Sequence, residues 1–189
     1  LGVVQAFVAA FGDAPDARVK LVIKLSNLDY QPELSRTIFG IMEGERRIQL
    51  IHEYLDRNTL NNLIAACDCY VSLHRAEGFG LPIAEAMYLG KPVIATHWSG
   101  NADFMDGENS LPVSFQLRAL EADVGPYEKG QRWAEPDLED AARQMRLVAA
   151  SQSDGFCRTI GEKARSTMLA RYSSAKTAAL MSERVARIC

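Results

Sequence analysis

The chain has 189 residues, near the upper range for one compact domain, with 48% hydrophobic residues and a net charge of −3. That apolar content is ample for a core, and a pI near 5.7 gives no electrostatic reason to expect a nucleic-acid partner. No apolar run approaches the ~20 residues needed to span a bilayer, and Leu1-Gly2-Val3-Val4-Gln5 has no basic region before it, so it does not read as a signal peptide. The four cysteines, Cys67, Cys69, Cys157 and Cys189, show no CxxC spacing and no clustered histidines, and read as reduced thiols of a cytosolic protein.

In chain order, Val3, Val4, Phe7, Ala10 and Phe11 fall at helical spacing. The chain has no initiator Met and starts inside this helix, which predicts a piece of a longer protein. Gly12-Asp13-Ala14-Pro15-Asp16 closes the helix, and Val19 to Leu25 reads as a strand whose near-continuous apolar character suits burial on both faces. Lys24 interrupts that strand near its end, before Ser26-Asn27. Its ammonium either snorkels to solvent or supplies positive charge to a bound anion. Residues 31–43 read as a helix, Arg47 to His52 as a strand, and Asp56 as the N-cap of a helix from Arg57 to Cys67.

The most informative stretch runs from Cys69 to Asn101. An apolar strand, Cys69 to Leu73, enters a turn containing Glu77, Gly78 and Gly80. A helix begins near Pro82, carries Glu85 and stops at Gly90, a proline-led start and a glycine stop. Lys91-Pro92 reopens the chain into a second strand, Val93 to Thr96, which ends at Ser99-Gly100-Asn101. Both turns lie at strand C-terminal ends, where open parallel sheets bind ligands. Free N–H groups at a helix start attract phosphate, and glycines allow close approach. A carboxylate beside a phosphate is repulsive, so Glu77 and Glu85 suit hydroxyls, which flank the diphosphate of a nucleotide sugar on both sides. Spacing alone leaves the alternative open that the glycines serve a tight turn and both glutamates are solvated.

The run Glu77-Gly78-Phe79-Gly80-Leu81-Pro82-Ile83-Ala84-Glu85-Ala86-Met87, followed by Gly90-Lys91-Pro92-Val93-Ile94-Ala95, resembles the signature of retaining glycosyltransferases of family four. In that family two glutamates separated by seven residues stand in the C-terminal, donor-binding half of a GT-B fold. The likeness extends upstream through Asp56 to Asp68 and downstream to Asp137, so it covers most of the chain. It implies that the backbone of Gly78, Phe79, Gly80 and Leu81 receives the diphosphate, helped by Lys24, that Glu85 accepts the ribose hydroxyls, and that Glu77 contacts the donor sugar as the catalytic residue. The turn Glu53-Tyr54-Leu55 would lie against the base, with Tyr54 a candidate for stacking or simply a packed or exposed tyrosine. The N–H groups of Ser99, Gly100 and Asn101 would meet sugar or phosphate oxygens. His74 and Arg75 lie beside Glu77 and are weaker ligand candidates, whereas His52 and His97 read as structural.

Two features depart from the family. Lys24 stands where a glycine-rich turn is common, and Gly100-Asn101 with Asp103-Phe104 replaces two glycines and a glutamate. The acceptor-binding domain, with the short strand and basic pair that precede the first helix, would lie upstream. Residues 115–135 have no clear period and read as an irregular segment. Trp133 to Asp137 introduces a helix from Leu138 to Ala150, and further helices follow at roughly 154–170 and 173–187, the last expected to pack toward the upstream domain.

The fold class expected is α/β, a doubly wound, Rossmann-like parallel sheet of five or six strands with helices on both faces. The function implied is transfer of a hexose from a nucleotide-diphosphate sugar to a glycan or lipid-linked acceptor, with retention and without a metal or other cofactor. The expected location is the cytoplasm, with peripheral contact at the inner face of the membrane left open. A sugar-nucleotide epimerase or phosphorylase on the same fold, and a non-catalytic nucleotide-binding module, are the competing readings.

Overall fold

The computed structural model describes residues 1–26 and 32–188; Asn27, Gln31 and Cys189, named above, lie outside the described residues. The first half runs α1 (Gly2–Phe11), β1 (Leu21–Lys24), α2 (Pro32–Gly44), β2 (Ile48–Ile51), α3 (Arg57–Ala66), β3 (Tyr70–Ser72), α4 (Leu81–Tyr88) and β4 (Val93–Thr96). A single 3-10 turn at Gly100–Asp103 leads to β5 (Leu111–Val113), β6 (Phe115–Ala119), β7 (Arg132–Pro136), α5 (Leu138–Ala150), α6 (Phe156–Tyr172) and α7 (Ser174–Ala186).

β4 sets the layering. All four of its residues are buried, as befits a parallel strand covered on both faces. Ile94 belongs to a cluster with Phe7 and Phe11 of α1, Leu111, Val113 and Met145 of α5. Val93 and Ala95 point the other way, into a cluster with Ile64 of α3, Ile83 and Met87 of α4, Phe104 and Met168 of α6. Alternation along one strand thus divides the helices between two faces. Each fully buried large side chain contributes roughly 1.5–3 kcal/mol of transfer free energy. The second cluster is tightened where α6 crosses the end of α4. A Cβ on Gly161 would sit 2.0 Å from the Gly90 carbonyl oxygen, so only glycine allows that approach.

The parallel sheet comes in two pieces instead of the one expected. β3, β4 and β5 pair in parallel, with Tyr70 opposite Val93 and Ile94 opposite Leu111. β1 pairs in parallel with β2, Leu21 opposite Ile48 and Lys24 opposite Ile51. Among the described residues β1 pairs only with β2, and β3 only with β4. Both strands line an apolar cleft of about 1170 Å³, together with Val4 of α1, Leu63 of α3 and Val148 of α5. Five parallel strands are therefore present, and the architecture is α/β and Rossmann-like with helices on both faces, but an unfilled slot separates β1 from β3.

The irregular segment expected at 115–135 is instead an antiparallel hairpin, Phe115 opposite Pro136 and Ala119 opposite Arg132. β6 is exposed over most of its length, so its alternation of Phe115, Leu117 and Ala119 with Gln116 and Arg118 does not sort a buried face from an exposed one. Its partner is held by contacts distant in sequence. Arg75 grips Glu135 through two hydrogen bonds and lies 5.2 Å over the Trp133 ring, while the Ala134 amide donates to the Arg75 carbonyl. Asp137 then caps α5, accepting from the amides of Glu139 and Asp140. Likewise Asp56 caps α3, as expected, accepting from Thr59 N–H. Among the described residues no helix is long and apolar enough to cross a membrane.

Candidate active site

The glycine turn between β3 and α4 is set from behind. Gly80 occupies the N-cap of α4 with φ 86° and ψ 47°, and no side chain caps the helix, so its first N–H groups have no side-chain acceptor. The Phe79 ring packs against Phe104 at 5.2 Å and Tyr172 at 5.6 Å, which anchors the turn although Phe79 itself remains 39% exposed. Below the turn lies the second predicted loop. A Cβ on Gly100 would fall 2.0 Å from the Gly78 carbonyl oxygen, and one on Gly80 would fall 3.3 Å from Asn101 Cβ. The turns after β3 and β4 are in direct contact through backbone.

That contact explains the states of Ser99 and Asn101. Ser99 adopts φ 76° with ψ −152°, a region that costs a non-glycine residue about 1–3 kcal/mol. Its hydroxyl donates to the Glu77 carbonyl oxygen and so ties the two turns together. The Asn101 side chain is fully buried and donates to the Thr96 carbonyl at 2.9 Å and to Met105 Sδ at 3.3 Å. Among the described residues its Oδ1 and the Thr96 hydroxyl have no hydrogen-bond partner. The Asn101 side chain is therefore directed into the core, and only its backbone is left to face the turn. The chain that follows, Gly100–Asp103, is a single 3-10 turn.

The two glutamates flank the turn. The Glu77 carboxylate accepts from the Gly78 amide at 3.1 Å, and Glu85 lies in the middle of α4 with Oε1 bonded to Arg57 at 2.6 Å. Both carboxylates act on one phenol that the sequence did not single out. Burial first, then the charges of Glu77 and Glu85, push the Tyr70 hydroxyl up to about 12. The Tyr70 phenol therefore stays neutral well into alkaline pH.

The other predicted residues divide. His74 donates from Nε2 to the Trp98 carbonyl at 3.0 Å, an assignment the carbonyl acceptor imposes, and Nδ1 lies 3.3 Å from the Ser72 hydroxyl. It braces the turn after β4. Arg75 is committed to Glu135, and His97 Nε2 lies 3.1 Å from the Met105 carbonyl oxygen. Lys24 lines the cleft, with Nζ bonded to the Leu25 carbonyl and the Ser26 hydroxyl. Tyr54 is 91% exposed. The three described cysteines are free, and burial raises the thiols of Cys67 and Cys157 and pushes that of Cys69 up to about 12, which makes them poor nucleophiles.

The parallel α/β sheet carries two glycine turns at adjacent strand C-terminal ends, one of them opening a helix without a side-chain cap, the place where open sheets of this kind bind ligands. The family model described as glycosyl transferases group 1 matches residues 4–123, well over half of the sequence, and the chain belongs to that family. No curated protein sequence matches it. Among solved structures it is similar to Alr3699/HepE of Anabaena in complex with UDP and glucose, at 19% identity and a TM-score of 0.69 over 98% of this chain and 44% of that one. It is similar to sucrose-phosphate synthase of Thermosynechococcus elongatus, at 21% identity and a TM-score of 0.70 over 99% of this chain and 42% of that one. It also matches the C-terminal domain of LpcC, a glycosyl transferase group 1 family protein from Francisella tularensis, at 21% identity and a TM-score of 0.66, over 92% of this chain and 78% of that domain. The chain thus spans under half the length of the first two proteins. At these identities the likeness establishes the fold.

Proposed function

We propose that this chain is the donor-binding part of a retaining glycosyltransferase of family four, moving a hexose from a nucleotide-diphosphate sugar to a glycan or lipid-linked acceptor. The observation that carries the reading is the uncapped start of α4 at Gly80, flanked by Glu77 and Glu85. The N–H groups from Gly78 to Leu81 receive the diphosphate and stabilise the charge that develops on the leaving oxygen. Glu85 accepts the ribose hydroxyls. Glu77 contacts the donor sugar, whose reacting carbon passes through an oxocarbenium-like state, with the backbone of Ser99, Gly100 and Asn101 on the opposite wall. Lys24, at the rim of the cleft, is the cation nearest in role to a phosphate clamp, and Tyr54 is free to stack on a base. N–H donors supply the charge stabilisation, so the reading calls on no metal.

The acceptor-binding domain lies upstream in this reading. Two observations support it. The open edges of β1 and β3 face each other across a slot suited to one further strand, to which we assign the short strand that precedes the first helix in the resembled family. In addition α7 has no buried residue, and Leu180, Met181 and Val185 are exposed on it, as a helix that packs against another domain would show. The protein would work in the cytoplasm, at the inner face of the membrane if its acceptor is lipid-linked.

Calorimetric titration of this 189-residue chain with UDP-, GDP- and ADP-linked sugars tests the reading. Weak binding of one nucleotide class without transfer is expected; robust turnover by these residues alone contradicts the two-domain assignment, and no binding of any nucleotide contradicts the donor-site assignment.

A further inference from the structure

Arg57 is not explained by the helix it opens. It is the first residue of α3, at the positive end of the helix dipole, where a cation is disfavoured. The neighbouring cap does not engage it either, because both Asp56 carboxylate oxygens accept from Thr59. The guanidinium instead reaches across 28 residues of sequence to Glu85, Nη1 to Oε1 at 2.6 Å. Arg57 is 65% exposed and Glu85 27%, and the pair forms one wall of a hollow of about 560 Å³ that also includes Asn61, Leu81 and Tyr88.

Glu85 Oε1 is thereby occupied, and among the described residues Oε2 receives no hydrogen bond. The arrangement leaves one carboxylate oxygen oriented and unpaired. It also answers an electrostatic problem. A diphosphate brought to the start of α4 meets the negative charges of Glu77 and Glu85. Of the basic residues around the site, Arg75 is neutralised by Glu135 and Lys24 is bonded to its own loop. Arg57 is the described cation that cancels Glu85.

We propose that Arg57 is the positioning residue for nucleotide binding: it holds Oε1 of Glu85, presents Oε2 to the vicinal hydroxyls of the ribose, and cancels the charge that would repel the diphosphate. This rests on the reading of Glu85 as the ribose acceptor. Recognition of ribose over deoxyribose then depends on Arg57 although Arg57 does not touch the sugar.

The test is a calorimetric double-mutant cycle on the full-length protein with Arg57→Met, Glu85→Ala and both, titrated with whichever of UDP, GDP and ADP the parent binds best and with its 2′-deoxy form. An exposed ion pair of this kind is worth a factor of about 2 to 5. Arg57→Met should weaken the ribonucleotide by that factor, narrow its preference over the 2′-deoxy form, and add nothing once Glu85 is removed; Arg57→Lys should recover part of the loss. A loss that persists in the Glu85→Ala background means that Arg57 contacts phosphate or base directly and overturns the proposal; a loss equal for both sugars leaves Arg57 no part in presenting Oε2 and overturns it as well, as does binding unchanged from the parent. If Glu85→Ala alone leaves binding intact, the ribose reading itself fails, an outcome the cycle separates from failure of Arg57 alone.

Discussion

The two pieces of the sheet are built differently. Around β4 and β5 the approaches are tight, although β3 beside them is half-buried and borders the cleft. Gly100 meets Gly78, Gly161 meets Gly90, β4 is buried throughout, and the Phe79 ring is pinned by Phe104 and Tyr172. β1 and β2 are half-buried by comparison, border an open cleft, and carry with them α2, where a Cβ on Gly40 or Gly44 would touch nothing within 4 Å. The stronger candidate residues, Glu77, Glu85 and the glycine turn, belong to the tight piece. Lys24 and Tyr54 belong to the loose one. The comparison teaches that the parts of the site requiring fixed geometry lie where packing is dense, and that the contacts able to adjust lie across the slot.

The largest effect should come from filling the closest backbone contact. Gly100→Ala places a methyl 2.0 Å from the Gly78 carbonyl oxygen, so one turn must shift. A loss of about 3 kcal/mol is expected, or roughly 6–12 °C in Tm. Gly40→Ala, on the loose side, should be neutral or raise Tm slightly, since alanine is the better helix former. Equal melting behaviour of the two variants would erase the distinction between the pieces.

Next in size is the anchor of the hairpin. Arg75→Met removes a two-bond pairing with Glu135 that is partly exposed, and should cost about 1–2 kcal/mol with hydrogen-exchange protection lost first in β7. Protection lost instead from β1 would place the hairpin in the wrong piece.

A third effect is confined to alkaline pH. Cys69 and Tyr70 both have folded values pushed to about 12, from ordinary values of 9.0 and 10.0. Between those limits the unfolded chain releases protons that the folded chain keeps, so stability is full below pH 9 and falls as pH rises toward 12. Cys69→Ala should flatten the first part of that decline in chemical denaturation at pH 9 and 11. An unchanged slope would show that the thiol is not held neutral beside β4.

The smallest effect concerns Ser99. Ser99→Ala loses the hydroxyl bond to Glu77 but keeps the strained backbone, whereas Ser99→Gly relieves the strain. The expected order of stability is Ser99→Gly above the parent and the parent above Ser99→Ala, with steps of about 1 kcal/mol or less. Both variants lack the hydroxyl, so Ser99→Ala as stable as Ser99→Gly would mean that the φ of 76° is not strained.

What could be read in advance follows the same division. β4 matched its expected limits and α4 lay within a residue or two of them, because Val93 to Thr96 is an unbroken apolar run and Pro82 and Gly90 mark the helix. The Asp56 and Asp137 caps were equally local signals. The β6–β7 hairpin escaped because the alternating run Phe115 to Ala119 is only five residues long and largely exposed, and what docks its partner strand is an arginine 60 residues away. The same holds for Arg57, whose partner lies 28 residues on, and for Tyr70, an apolar strand residue by pattern whose meaning depends on two carboxylates brought to it by folding. The gap between β1 and β3 has no local sequence mark at all, since strand order is a property of the assembled sheet. For the site itself, the identity and order of the turn residues were legible; Asn101, which turned its side chain inward to Thr96, was legible only as a position.

The central claim is that Glu85 receives the ribose of a nucleotide held at the start of α4. Calorimetric titration of Glu85→Ala with the bare nucleoside diphosphate tests it most directly. A hydrogen bond to a charged group is worth on the order of 1.5–3 kcal/mol, so affinity should fall about 10- to 150-fold, while Glu77→Ala, which loses a sugar contact only, should bind the same ligand nearly as the parent does. Binding by Glu85→Ala as tight as the parent's would contradict the account.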